Sequence, residues 1–209
     1  MKILAVSDKV VDWIYSPKVR MLLSDIDLAI GCGDLPLEYL EFIISSLDIP
    51  VFYVHGNHSL PDRKPENGEI LSKGSIDLHG KVMRYKGFTF AGVEGSIRYN
   101  DGIYQYSQFE MWLNVIQLVP ALLSNQLKYG RYLNVLITHA PAWGIQDQSD
   151  LPHQGIRAFR WLLTRFQPDY HIHGHIHVYR PDLITETIFC KTKVINAYGY
   201  KLIDLKIEA

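Results

Sequence analysis

Five short pieces of this sequence bring carboxylate, amide and imidazole side chains together with small residues. They are Ser7-Asp8-Lys9-Val10, Gly31-Cys32-Gly33-Asp34, Gly56-Asn57-His58-Ser59, Thr138-His139-Ala140-Pro141 and His173-Gly174-His175-Ile176-His177. Each closes an apolar run with an oxygen or nitrogen donor. Hard oxygen combined with imidazole, with no thiolate requirement, suits Mn, Fe, Zn or Ni better than Ca or a structural Zn. The chemistry these residues could do is therefore that of a catalytic metal site. Gly31, Gly33, Gly56 and Gly174 beside the donors permit tight strand-to-loop turns and close approach of backbone to an anion.

The elements that must position these donors can be read from the hydrophobic pattern. Lys2–Ser7, 27–31 and 50–55 are short β-rich apolar runs, and between them 17–24 and 36–47 have helical spacing and open with proline, which a first helical turn tolerates. The second helix carries Leu37, Leu40, Ile43, Ile44 and Leu47 on one face. This βαβαβ texture predicts a largely parallel sheet covered on both faces, with ligands gathered beyond the carboxyl ends of the strands, where Asp8, Asp34 and His58 should converge. Residues 59–75 read as a surface loop. The runs 81–85 and Phe88–Val93, joined by Lys86-Gly87, predict a hairpin in a second sheet layer. A helical stretch over 107–128 should be kinked or divided by Pro120. Strands are predicted at 132–138, 169–173, 193–197 and 200–207, with a helix at 154–166. No repeat or linker interrupts the chain, which reads as one domain over 1–209.

The ordered motifs resemble those of the calcineurin-like metallophosphoesterases, D-x-H, G-D, G-N-H-[DE], a lone His after a strand, and G-H-x-H, running here from Asp8 to His177. The resemblance implies a four-layer α/β/β/α sandwich of two mixed sheets and two divalent metal ions. Carried over by position, it makes Asp34 the bridging carboxylate, with Asn57, His139 and His175 completing one metal site and Asp8 and His177 holding the other. His58 would act on phosphate, donating a proton or hydrogen bond to a leaving or phosphoryl oxygen. Two cations about 4 Å apart can grip a phosphate, acidify a water or hydroxide and stabilise an in-line displacement. The reaction implied is hydrolysis of a small phosphodiester or monoester by metal-bound water or hydroxide, phosphodiesters being favoured.

Two departures from the pattern matter. Val10 stands where the first motif has histidine, and Lys9 is no substitute because a protonated ammonium has no lone pair. The Asp8–His177 site should therefore bind metal more weakly. Ser59 stands where a carboxylate often follows the G-N-H histidine and could orient it; Asp62 is an alternative partner for His58. These departures also support a rival reading, a non-catalytic scaffold of the same fold that binds a protein.

The remaining polar and aromatic residues have plainer readings. His171 and His173 alternate along a strand and read as structural, His55 as packing beneath the site, and His79 as a turn residue with no partner pattern. His153 and Arg157, near the entrance of the 154–166 helix, could meet an anionic substrate at its free N–H groups. Tyr99 and Tyr104 are candidates for a substrate rim, whereas Phe109, Trp112, Val115 and Ile116 fall on a helical period and are assigned to core. Arg157, Arg160 and Arg165 otherwise read as a solvated face. Cys32 reads as a small buried residue with no base beside it.

Composition narrows the class further. With 209 residues, 47% hydrophobic and 21% charged, the chain can bury one sizeable core. Its 21 basic and 22 acidic residues give a net charge of -1, which mildly disfavours long nucleic acid as a partner; a small phosphate ester is what the resemblance implies. Two cysteines and an N-terminal apolar run broken early by Asp8 and Lys9 point to free thiols in the cytoplasm, with no membrane span and no signal peptide.

Overall fold

The computed structural model describes residues 1–59, 75–180 and 182–206. In chain order the first half runs β1 (Lys2–Ser7), α1 (Val19–Leu22), β2 (Leu28–Gly31), α2 (Leu37–Leu47), β3 (Val51–Tyr53), β4 (Ser75–Asp77), β5 (Val82–Tyr85) and β6 (Phe88–Val93). The second half runs β7 (Ser96–Ile97), β8 (Gln105–Tyr106), α3 (Gln108–Ile116), α4 (Val119–Tyr129), β9 (Val135–Thr138), a 3-10 turn at Leu151–His153, α5 (Arg157–Phe166), β10 (Tyr170–His173), β11 (Glu186–Phe189), β12 (Thr192–Asn196) and β13 (Gly199–Asp204).

Two mixed sheets carry the fold, in the orders β13-β1-β2-β3-β4 and β11-β12-β10-β9-β6-β5, and a small parallel pair joins β7 to β8. The motif-bearing strands are parallel within each sheet: β1, β2 and β3 in the first, β9 and β10 in the second. Antiparallel strands close one edge of the first sheet, at β13, and both edges of the second, at β11 and β5.

Side-chain alternation explains the layering. Successive strand residues point to opposite faces, so a strand buried on both sides must feed two cores. Ile3 and Ala5 of β1 join Val135 and Ile137 of β9 in a central core between the sheets. Leu4 and Val6 pack outward against Tyr39, Leu40 and Ile43 of α2, and Leu136 packs outward against Met111, Phe159 and Leu162 of α3 and α5. Three cores separate four layers, the α/β/β/α sandwich expected.

The hairpin at Lys86-Gly87 forms with a two-residue loop, Tyr85 opposite Phe88, and both loop residues have positive φ (45° and 86°), as a type I′ turn requires. Pro120 divides the 107–128 stretch, sitting in the first turn of α4. Ser107 starts α3 with a reciprocal capping box to Glu110.

Other expectations are corrected. The helix at 17–24 is a single turn, and the strand expected from 132 begins at Val135, just after Asn134, whose side chain binds Thr89 and Asp169. Phe109 and Ile116 are not core but exposed, at 70% and 51%. Helix α3 has two apolar stripes, and the one that faces the sheet is Met111 and Val115, with Trp112 partly buried beside Trp161. His79 has a partner after all, since its Nδ1 accepts from the Glu94 amide at 3.2 Å. Asp62 and nearly all of the 59–75 loop fall outside the described residues, Ser75 opens β4, and the strand expected over 200–207 ends at Asp204, with 207 outside the described residues. No helix among the described residues is long and apolar enough to cross a membrane.

Candidate metal centre

All five motifs lie at or just beyond the carboxyl ends of β1, β2, β3, β9 and β10, and backbone bonds stitch them together. The Asp8 amide donates to the Gly33 carbonyl (3.2 Å), Val54 to Gly31 (3.0 Å) and Gly174 to His139 (3.0 Å). Three site residues adopt the left-handed region that side chains rarely occupy: Asp8 (φ 63°), Asp34 (φ 54°) and His175 (φ 66°). Around Asp8 and His175 the device is the same three-residue turn, closed by Lys9 N–H on the Ser7 carbonyl and Ile176 N–H on the Gly174 carbonyl, each at 2.7 Å. The two turns face each other, and the His175 amide donates to both Asp8 carboxylate oxygens (3.2 and 3.0 Å). Only glycine fits at Gly174, where a Cβ would overlap Ser7 Oγ and Asp8 Oδ2.

The imidazole tautomers follow from backbone carbonyls. His139 is fully buried and faces the Cys32 carbonyl through Nδ1 (2.8 Å), so Nδ1 carries the hydrogen and Nε2 is bare. His175 faces the Pro152 carbonyl through Nε2 (2.7 Å), so its bare atom is Nδ1. The bare atoms converge: His139 Nε2 lies 2.8 Å from Asn57 Oδ1, 3.1 Å from His175 Nδ1 and 3.3 Å from Asp34 Oδ2. With His139 neutral, four acceptors crowd one point with no donor among them, an arrangement that a cation satisfies, whether a proton on Nε2 or a metal ion. Asp34, His139 and His175 could hold a metal ion, and the Asn57 amide oxygen adds a fourth ligand.

Titration in the metal-free protein tells the same story. Burial opposes charge on His139, but the carboxylates of Asp34 and Asp8 outweigh it and lift the imidazole to about 9, so that a proton takes the cation's place. Burial likewise opposes charge on Asp34, yet the His139 charge and hydrogen bonds from His139 and the His58 amide hold it at about 2. Burial drives His175 down to about 3 and pushes Asp8 up.

Asp8 and His177 do not close up in the same way. His177 is 41% exposed, with Nε2 3.8 Å from Asp8 Oδ1 and Nδ1 2.5 Å from the Tyr179 hydroxyl. Val10 packs with the α1/α2 core and supplies nothing. His58 lies at the exposed lip; its amide donates to Asp34 Oδ1 at 2.8 Å. The Ser59 hydroxyl accepts from the Gly56 amide (2.8 Å) and closes the turn.

His171 and His173 are buried and structural, the first bonded to Thr138 Oγ1 at 2.8 Å. His55 is buried and stacked on Tyr104. His153 sits over His175, ring to ring at 5.3 Å, and binds Asp150. The Arg157 amide at the start of α5 is taken by Gln108 Oε1 (3.0 Å), and its guanidinium lies on Trp143. Cys32 contributes its carbonyl, while burial pushes its thiol well up. Sequence reasoning missed the Pro152 carbonyl, which carries no signal in the residue type; Tyr99, expected at a substrate rim, has its hydroxyl 2.9 Å from Asn57 Nδ2 and 3.4 Å from His58 Nε2. A cavity of about 380 Å³ opens beside Asp34 and His58, lined by Leu35, Leu40, Tyr53 and Val54 with Glu38 and Glu41, and with no lysine or arginine among its described lining residues.

The sequence profile of the calcineurin-like phosphoesterases matches residues 3–179. A UPF0046 protein, K07C11.7 of Caenorhabditis elegans, is 48% identical over 44 residues, 21% of this chain and only 15% of that protein. Among solved structures the fold resembles TT1561 of Thermus thermophilus, with TM-score 0.66, 17% identity, and 97% and 93% of the two chains covered. It also resembles GAP50, the anchor in the inner membrane complex of Plasmodium, with TM-score 0.53, 13% identity, and 94% and 70% covered.

Proposed function

The chain belongs to the calcineurin-like phosphoesterase family, and from that premise we propose that it hydrolyses a small phosphate ester, a phosphodiester in preference to a monoester, with divalent metal ions. The observation that carries this is the convergence of four atoms able to ligate a metal at His139 Nε2. Asp34, Asn57, His139 and His175 would hold one ion; Asp8 and His177, sharing Asp34, would hold a second. When bound, such ions polarise a phosphoryl oxygen and activate water. The chain's own residues do the rest. The Cys32 and Pro152 carbonyls keep both imidazoles in the ligating tautomer. His58, at the lip, donates to the leaving or phosphoryl oxygen.

Among the described residues, neither the Ser7 hydroxyl nor the Cys32 thiol beside the centre is placed to attack. Ser7 Oγ is tied to the Cys32 and Gly33 carbonyls (3.1 and 3.3 Å), and Cys32 is buried, which supports direct displacement by water. The cavity beside His58 supports a small, uncharged organic substituent, and its acidic rim disfavours a polyanion such as long nucleic acid. Two unpaired cysteines support a reducing, cytoplasmic setting.

The test is turnover of bis-p-nitrophenyl phosphate and p-nitrophenyl phosphate with Mn²⁺. Activity lost on chelation, and reduced about 100-fold or more in His58→Ala, is expected. The second reading, a metal-binding scaffold that docks a protein, is favoured by the missing ligand at Val10. Absence of turnover in folded, metal-loaded protein across several metals would select it.

A further inference from the structure

Tyr99 reaches the centre from the connection between β7 and β8. After β6 the chain passes into the small β7–β8 pair, and residues 98–105 fold back on the buried Gln105. Its Oε1 accepts from the Tyr99 and Asn100 amides (3.0 and 3.1 Å), and its Nε2 donates to Asn100 Oδ1 (2.6 Å). Arg98 clamps the Gln105 carbonyl from outside (3.1 and 3.3 Å). Thus anchored, the half-buried Tyr99 places its hydroxyl 2.9 Å from Asn57 Nδ2 and 3.4 Å from His58 Nε2.

An amide's oxygen and nitrogen ends have nearly the same shape, so packing alone does not choose which end of Asn57 faces His139 Nε2. The choice matters, because only the oxygen end can ligate a cation, whereas the NH₂ end would point two hydrogens at it. A phenol can bond either end, so it discriminates only if its own hydrogen is committed elsewhere. His58 Nε2 offers that commitment in the tautomer that leaves it bare: the Tyr99 O–H then points to it, the phenol oxygen offers only lone pairs that select Asn57 Nδ2, and His58 Nδ1–H stays free to donate to substrate.

We infer that Tyr99 is a positioning residue that fixes the Asn57 amide with its oxygen toward the metal and couples that orientation to His58. The inference rests on the metal-centre reading above and would add a tyrosine from the β7–β8 connection to the functional set.

The test is Mn²⁺ affinity by calorimetry, in wild type, Tyr99→Phe, Asn57→Ala and the double variant. Phe keeps the ring and removes only the hydroxyl. Tyr99→Phe is expected to weaken Mn²⁺ binding about 10-fold, as loss of an orienting partner of a ligand typically does, with the thermal unfolding of the chelated protein unchanged. In the Asn57→Ala background, where there is no amide to orient, Tyr99→Phe should change nothing further. The visible spectrum of the Co²⁺-loaded protein gives a second readout, in which Tyr99→Phe should shift toward Asn57→Ala. Equal affinity in Tyr99→Phe and wild type, or the same loss with and without Asn57, would overturn the inference while leaving the metal centre standing. Failure of the wild type to bind metal at all would overturn both.

Discussion

Metal binding by this protein should release one proton, and its source is His139. In the metal-free chain that imidazole stands at about 9, so near neutral pH a proton occupies Nε2 between Asp34 and Asn57. Asp34 at about 2 and His175 at about 3 are already deprotonated and contribute none in this range. A metal ion must therefore displace a single proton, and affinity rises as pH rises toward the His139 value and levels off above it. From about pH 6.5 to about 8.5 the competition for a site near 9 changes the apparent Kd roughly 80-fold, close to tenfold per pH unit. The assay is calorimetric titration with Mn²⁺ in pairs of buffers that differ in ionisation enthalpy, which counts the proton directly. His139→Ala should abolish the tight event. A Kd that stays flat across this window, with no proton taken up by buffer, would refute the reasoning, because the four acceptors would then be satisfied without a cation.

The two halves of the site should fill in sequence, the Asp34–Asn57–His139–His175 position first; His177→Ala should delete only the weaker, later event in a metal titration, and loss of the tight event instead would reverse the assignment. Gly174→Ala should destabilise the protein by about 1–3 kcal/mol in chemical denaturation, because a Cβ there must displace Ser7 and Asp8; wild-type stability would show that the two turns are not in contact. Acid should weaken the fold below about pH 6.5. Burial holds His173 at about 4 and His171 well below its ordinary value, so the unfolded chain binds protons that the native one refuses. The loss attributable to His173 alone is about 3 kcal/mol by the time pH reaches its native value, and His171→Leu should flatten the stability–pH slope over the same window. Ser107→Ala, which breaks the capping box of α3, should cost about 1 kcal/mol with Mn²⁺ affinity untouched, a control for variants at the site.

What the sequence revealed and what it hid divide along physical lines. Strands buried on both faces are unbroken apolar runs, so β1, β2, β9 and β10 were legible, and with them the strand ends where the donors gather. The β11–β12 hairpin was not, because its turn passes through Cys190 at positive φ without the glycine or asparagine that marks such turns. Helix α3 carries apolar residues on two stripes, and spacing alone could not tell Met111 and Val115, which face the sheet, from Phe109 and Ile116, which face outward. At the site, residue types named the side-chain donors. Nothing in a residue type, however, announces that the Cys32 or Pro152 carbonyl will orient an imidazole, since every residue has a carbonyl.

The backbone's part in this site connects its strain to its stability. Three of its residues sit in left-handed conformations, and four acceptors are held at distances where each repels the others. Such an arrangement persists only if the surroundings over-determine it. Two features do so here. The apolar layers fix the strand ends from which the motifs emerge, with Ile3, Ile30, Val135, Ile137 and Ile172 fully buried between the sheets. The facing turns then lock one another, the His175 amide on the Asp8 carboxylate tying the first motif to the last. Without a metal, the proton on His139 relieves the remaining repulsion. It bonds well to Asn57 at 2.8 Å but reaches Asp34 only at 3.3 Å, whereas a divalent ion can draw all four ligands at once. A site held this way is shaped before its cation arrives, and the cation changes which charges are balanced more than where the atoms lie.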